Sequence, residues 1–263
     1  MSPYRPYTAP PPTSRGAGDT PSRVTQPVSN ARLLGTFVVA ALGACAATDD
    51  SARTPADSAV VSDSAPAGSV QTFGTVAPFD DAASDSSFVA FRDALLGTLA
   101  RRDTAALYAI VAPDIRVSLG PDNGIGAFRE EWRPGEDDSE IWSVLDDLLR
   151  HGGRFTTPDL FIAPWTFFGL PDSLDAFEYL IVRDSGVVVR GTPDASGAAI
   201  ATLSFDIVRT ANTPTPDGWS AIMAGDGRVA YVDTDNVRSP VGYRAGFERR
   251  DGRWLLVFLA AGD

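Results

Sequence analysis

The position of the only cysteine limits which part of this chain can fold as a domain. Cys45 follows Arg32, the apolar residues 33–42 and the small residues 43–44. A positive residue, a short apolar run and a small-residue cleavage site are typical of a secretory signal peptide, and a bilayer span needs roughly 20 apolar residues. Residues 1–45 are therefore predicted to be a leader and signal peptide. Because a single cysteine forms no intramolecular disulfide, a hydrophobic core must hold the rest of the chain together.

The four residues Leu42-Gly43-Ala44-Cys45 resemble the lipobox of bacterial lipoproteins. The resemblance implies that the Cys45 thiol carries a diacylglyceryl group and that Cys45 becomes the first residue of the mature protein. It also implies a place in the cell envelope, with the membrane as a partner through the lipid and the domain facing the periplasm or the cell exterior. Two or more acyl chains anchor a protein stably, whereas one chain anchors it only marginally.

Composition then separates a linker from a folded body. Residues 46–85 are rich in Ala, Ser, Asp, Thr and Pro and poor in large apolar side chains, which predicts a disordered acidic linker. The chain has a net charge of −12, so it repels phosphates and nucleic acid is not expected as a partner. All its basic residues are arginine, which excludes lysine general bases and Schiff-base chemistry.

From Ser86 onward, apolar residues recur at helical spacing. Residues 88–99 predict a first helix, Asp103 caps a short second helix, and residues 115–119 alternate like a strand. A further helix is predicted over 139–150, with His151 at its C-terminal cap. Residues 86–175 are therefore predicted to be a helical α/β region.

Short strands and tight turns follow. Three segments in residues 185–238 carry a resemblance to the bacterial SH3-like domain: 186–194 (GVVVRGTPD), 217–222 (DGWSAI) and 225–232 (GDGRVAYV). Ala230 stands where that family usually has glycine. The Asp226-Gly227 pair between alternating strands independently indicates a hairpin. The predicted fold class is therefore α+β, with an SH3-like β-barrel over 176–238 beside a helix-and-sheet domain, after a disordered N-terminal leader and linker.

The regions on both sides of this predicted barrel also resemble one family. Residues 88–132 and 243–258 are similar to the opening and the last two strands of a nuclear-transport-factor-like cone. Residues 239–263 are predicted to be a C-terminal hairpin turning at Asp251-Gly252. If that hairpin completes the 86–175 region, the barrel is an insertion; if it does not, the two domains are sequential.

Candidate ligand-binding residues are aromatic. Trp219, Tyr231 and Tyr243 are predicted to line a groove, since SH3-type barrels bind extended ligands on aromatic surfaces. No catalytic residue, cofactor or metal site is predicted, because one His and one Cys cannot make the usual zinc sets. The leading hypothesis is a non-catalytic envelope protein that binds a peptidoglycan or protein ligand. The alternatives are an enzyme or small-molecule binder with a pocket in 86–175, and a purely structural accessory.

Overall fold

A computed structural model describes residues 69–262. In this part of the chain the fold is mixed α+β, with four α-helices, α1–α4, and thirteen strands, numbered β1–β13 in chain order. The leader, the lipidation site Cys45 and residues 46–68 lie outside the described residues. None of the helices in residues 69–262 has the length and apolar character that a membrane span requires.

The helices form where capping and apolar periodicity agree. Asp85 caps the first helix, because its Oδ1 accepts hydrogen bonds from the backbone N–H groups of Ser87 (2.8 Å) and Phe88 (3.1 Å). Arg102 ends this helix in the left-handed region, with φ of 51°. The four helices are α1 (Ser86–Arg101), α2 (Thr104–Ile110), α3 (Gly124–Trp132) and α4 (Ile141–Arg150).

A five-stranded sheet, called sheet I, packs against these helices. Its strand order is β2-β13-β12-β4-β3, and only the β2–β13 pair is parallel. The strands are β2 (Val111–Arg116), β3 (Arg154–Thr157), β4 (Leu160–Ala163), β12 (Arg244–Arg250) and β13 (Arg253–Ala260). The C-terminal hairpin and the 86–175 region therefore share one sheet.

Sheet I and the helices enclose one aromatic core. Phe88 of α1 lies with its ring centroid 4.2 Å from that of Phe161 and 5.0 Å from that of Trp254. The Trp254 Nε1–H donates to the Ser87 Oγ at 3.0 Å, so the indole keeps a hydrogen-bond partner although it is buried. On β12 the Phe247 ring also packs on Phe88, with centroids 6.0 Å apart, so both strands of the hairpin contact α1 from one face of the sheet.

The first strand of sheet I differs from its predicted position. The sequence predicted a strand over 115–119, but β2 begins at Val111, ends at Arg116 and contains Pro113. Proline is tolerated here because β2 is an edge strand, with β13 on one side only.

Residues between β4 and β12 supply seven of the eight strands of two further four-stranded sheets. Sheet II has the order β1-β8-β5-β11, and sheet III has the order β7-β6-β10-β9. The strands are β1 (Thr72–Thr75), β5 (Tyr179–Val182), β6 (Val187–Arg190), β7 (Ala199–Leu203), β8 (Asp206–Arg209), β9 (Trp219–Met223), β10 (Val229–Asp233) and β11 (Val237–Arg238). Except for β1, these strands interrupt the chain between two neighbouring strands of sheet I, as an insertion does.

Sheets II and III share one apolar core. Val182 and Val208 of sheet II pack with Val189, Ile222 and residues of the same face of sheet III. Neither sheet closes into a barrel, so the α+β class holds while the SH3-like barrel is not confirmed.

The linker prediction was wrong at its C-terminal end. Within the segment assigned to it, Val70 forms a bridge with Ala224, β1 pairs with β8, and Asp81–Ser84 form a short 3-10 helix. The ring of Phe73 packs edge-on against Tyr179, with centroids 4.8 Å apart. The polar average composition of residues 46–85 concealed four apolar side chains that pack against the cores of sheets II and III: Val70, Phe73, Val76 and Phe79.

A charged cluster joins α4 to the inserted sheets. The Asp147 carboxylate accepts hydrogen bonds from Arg183 Nη1 (2.7 Å) and Arg238 Nη1 (2.5 Å), and His151 Nδ1 lies 3.2 Å from it. Burial alone raises the pKa of Asp147, but the hydrogen bond from His151 and the charges of Arg238 and Arg183 together hold that pKa well below its usual range. Asp147 is therefore ionised and pairs with two arginines from the insertion.

Candidate functional site

Trp219 lies on the face of sheet III that points away from the shared core. Along β9, Ile222 is buried in the core, and the strand alternation puts Trp219 and Ala221 on the opposite face. The register pairs Trp219 with Asp233 and Ala221 with Tyr231 on β10. Two of the three predicted ligand-binding aromatics, Trp219 and Tyr231, therefore share one face of this sheet.

The loop before β9 fixes the backbone at Trp219. Gly218 adopts a φ of +84°, which the Asp217-Gly218 turn requires and which most L side chains avoid. The Trp219 N–H donates to the Pro216 carbonyl at 3.2 Å, and the Trp219 carbonyl accepts from the Thr215 Oγ1 at 2.6 Å. Trp219, whose indole is half-buried, is therefore the first residue of β9 and follows directly on a hydrogen-bonded turn.

A cavity of about 310 Å³, the Trp219 pocket, opens beside this indole. Two exposed carboxylates line it, Asp184 before β6 and Asp233 at the end of β10. One guanidinium also lines it, that of Arg190, whose Nη1 donates to the Gly197 carbonyl at 2.7 Å. An aromatic face beside two carboxylates suits a cationic group such as an amine.

Tyr243 does not belong to this pocket, so its assignment to a common groove with Trp219 was wrong. Its ring packs against Trp132 of α3, with centroids 4.9 Å apart, beside the core of sheet I. Tyr231 lies on the correct face of sheet III but is not among the residues that line the Trp219 pocket.

A second cavity of about 400 Å³, the sheet I groove, lies on the face of sheet I opposite the helices. A β-bulge creates it, because Gly246 pairs with Phe258 and Phe247 pairs with Leu256, which leaves Val257 as the extra residue. Trp254, Leu256 and Leu259 then face the helices. The opposite face of β13 is open to the groove, where Val257 and Phe258 line it. The groove is lined by Asp114, Arg116, Leu160, Ile162, Phe167, Arg244, Gly246, Arg250, Val257 and Phe258.

Ion pairs define one end of the sheet I groove. Arg250 donates to Asp114 Oδ1 at 2.7 Å and to Glu248 Oε2 at 2.5 Å. The hydrogen bond from Arg250 lowers the pKa of Asp114, so this carboxyl group is ionised and engaged rather than held as a proton donor.

Sequence reasoning missed Asp184 and Gly246. A glycine inside a strand pattern marks a bulge or a close approach, and Gly246 carries that signal in the predicted C-terminal hairpin. Asp184 carries no comparable signal, because its role depends on which strand lies beside it. Within residues 69–262, no three His, Cys, Asp or Glu side chains are grouped so as to hold a metal ion.

Comparison with protein-family models, with curated proteins and with solved structures finds no match for this chain. The Trp219 pocket and the sheet I groove, with the residues that line them, are therefore the features that bear on function. Of the two, the Trp219 pocket contains a residue singled out from the sequence, and the sheet I groove is the larger.

Proposed function

We propose that this chain is a non-catalytic, lipid-anchored protein of the bacterial cell envelope that binds an amine-bearing peptide through residues of its inserted sheets. The lipid is on Cys45, and the domain faces the periplasm or the cell exterior. The ligand is a peptidoglycan peptide or a basic segment of an envelope protein, since both present free amines. No cofactor, metal or nucleic acid takes part.

The observation that carries this proposal is the composition of the Trp219 pocket. The pocket of about 310 Å³ is lined by the Trp219 indole and by two carboxylates from separate segments of the chain, Asp184 and Asp233. An ammonium group there pairs with the carboxylates and lies against the ring. The core shared by sheets II and III and the β9–β10 hairpin support the proposal of an SH3-like unit over 176–238.

A catalytic function has less support. Asp114 is the only acid that lines the larger cavity, and it is ion-paired with a lowered pKa, whereas a general acid needs a raised one. The absence of lysine removes a common nucleophile and base. We therefore propose binding alone.

The test uses the full chain with Cys45→Ser, which also checks lipidation. The native chain should stay in the membrane fraction after a high-salt wash, and the Cys45→Ser chain should leave it. Cys45→Ser protein should then bind isolated cell-wall sacculi, and acetylating the sacculus amines should abolish that binding. A lysine-containing peptide serves as the protein-type ligand and is measured in parallel.

Pocket variants decide whether this binding uses the Trp219 pocket. Trp219→Ala should remove binding, and Asp184→Asn should weaken it about fivefold, which is the loss of one exposed charge pair. The matched controls are Phe177→Ala, an aromatic that is 63% exposed, and Asp217→Asn, an exposed acid outside the pocket. Binding that survives both acetylation and Asp184→Asn contradicts the proposal. Binding of the lysine peptide without binding of sacculi identifies a protein as the ligand.

A further inference from the structure

The sheet I groove has an apolar floor that depends on one glycine. A Cβ placed on Gly246 would come within 3.2 Å of the Phe258 Cβ and 3.8 Å of both Leu160 Cδ1 and Val257 Cγ2. Any larger residue at 246 therefore fills the space between these side chains. The groove is deep at this point because Gly246 of β12, which has no side chain, pairs with Phe258 of the bulged strand β13.

A second cavity adjoins the sheet I groove at the Phe167 side chain. A smaller cavity of about 200 Å³ adjoins it and shares two of its lining residues, Phe167 and Arg244. The Arg244 guanidinium lies over the Phe167 ring at 4.5 Å and donates to the Gly262 carbonyl at 2.5 Å. Apolar residues continue the lining beyond this stack, Leu170, Leu174 and Val241 among them. The second cavity is partly polar, because Asp172 also lines it, so the apolar surface available to a ligand is that of the sheet I groove.

One cation at the groove is available for a ligand. Arg116, at the end of the edge strand β2, lines the groove, is exposed and pairs in register with Phe258. Arg250, by contrast, is already held by Asp114 and Glu248. Among residues 69–262 no hydrogen bond or ion pair engages the Arg116 side chain. An exposed guanidinium beside an apolar floor is complementary to a carboxylate on an apolar body.

We propose that the sheet I groove binds a single-chain amphipathic carboxylate, with its carboxylate on Arg116 and its alkyl chain on the floor at Gly246. The size of the groove, about 400 Å³, falls in the range of small-molecule sites. This site is separate from the Trp219 pocket, and the two share no lining residue.

The experiment measures binding of decanoate, below its micellar concentration, to the full chain with Cys45→Ser, so that no acyl chain of the protein itself competes. Decanol is the matched probe without a charge. Wild-type sequence at the groove should bind decanoate saturably at one site and bind decanol more weakly.

Two variants separate the charge from the floor. Arg116→Gln should weaken decanoate about fivefold and leave decanol unchanged, since it removes one exposed charge pair. Gly246→Val should weaken both probes, because its side chain fills the floor. Arg101→Gln, an exposed arginine on α1, is the matched control and should change neither. If circular dichroism shows that Gly246→Val does not fold, the proposal is tested by Arg116→Gln alone, from the difference between its effects on decanoate and on decanol.

Three results overturn the proposal: no saturable decanoate binding, equal loss of decanoate and decanol in Arg116→Gln, or a dimer in sedimentation that Gly246→Val dissociates. The last result makes the groove an interface between two copies of this chain.

Discussion

Two buried hydroxyl groups, those of Thr166 and Ser139, differ in whether they form a hydrogen bond. Thr166 is 1% exposed, and its Oγ1 has no hydrogen-bond partner in residues 69–262. Ser139 is also buried, but its Oγ donates to the Trp132 carbonyl at 2.5 Å. A buried polar atom without a partner is destabilising, whereas a buried hydrogen bond contributes roughly 1 kcal/mol.

Thr166→Val is therefore expected to raise the free energy of unfolding by about 1 kcal/mol, and Ser139→Ala to lower it by about 1 kcal/mol. Urea denaturation followed by tryptophan fluorescence measures both changes. Equal destabilisation by the two substitutions would show that the Thr166 hydroxyl has a hydrogen-bond partner that stabilises the fold.

At the level of single residues, the sequence predicted which side chains of a strand share a face. It did not predict which residues from other strands those side chains contact. Trp219 and Tyr231 share a face because a hairpin with a two-residue period puts them there. Tyr243 precedes a different strand, β12, and no local pattern says which core receives its ring. The polar partners of Trp219 depend on contacts between strands that lie far apart in the chain.

Among the elements, β1 was missed because the average composition of its segment is polar, although single apolar side chains within it pack on a sheet. Phe73 of β1 and Val76, the residue that follows β1, pack against sheet II although the surrounding segment is polar. Helix and hairpin signals are local, so α1, α4 and the C-terminal hairpin were predictable from periodicity and turn residues. A single edge strand whose partner, β8, lies much later in the chain gives no such local signal.

Phe73→Ala should lower the free energy of unfolding by about 1–2 kcal/mol, which is the loss of a partly buried aromatic. Hydrogen exchange should rise in β8 and β5, because β1 covers β8 and the ring packs on Tyr179 of β5. Thr75→Ala, an exposed position on the same strand, serves as the control. Unchanged exchange in β8 would mean that β1 does not stabilise sheet II.

For the whole molecule, the Asp147 cluster is the contact to test. The side chains of Arg183 and Arg238 are only 10% and 12% exposed, so removing their shared carboxylate leaves two poorly solvated cations. Asp147→Asn should lower the free energy of unfolding by about 2–3 kcal/mol. Asp146→Asn is the matched control, because the neighbouring Asp146 pairs only with Arg150 at the surface and should cost less than about 0.5 kcal/mol.

The same cluster predicts a pH dependence. The pKa of Asp147 is lower in the folded chain than in the unfolded one, so its contribution is complete above the unfolded pKa of about 3.9 and declines as the pH falls below it. The difference in urea midpoint between the unmodified chain and Asp147→Asn should therefore shrink as the pH falls from 5 to 2, and part of it should remain at pH 2 because the folded pKa is lower still. A difference that stays constant over that range would assign the effect to packing rather than to charge.

The pairing of β1 with β8 and of β2 with β13 also sets the order in which this chain can assemble during synthesis. In each pair the earlier strand leaves the ribosome long before its partner exists. The β1–β8 pair can form only after residue 209 has been made, and sheet II is complete only after residue 238. Sheet I lacks β13 until residue 260 has been made. Such non-local pairings delay folding, because a long loop must close before they form. Strands β1 and β2 therefore stay without their pairing partners in the nascent chain until β8 and β13 have been made.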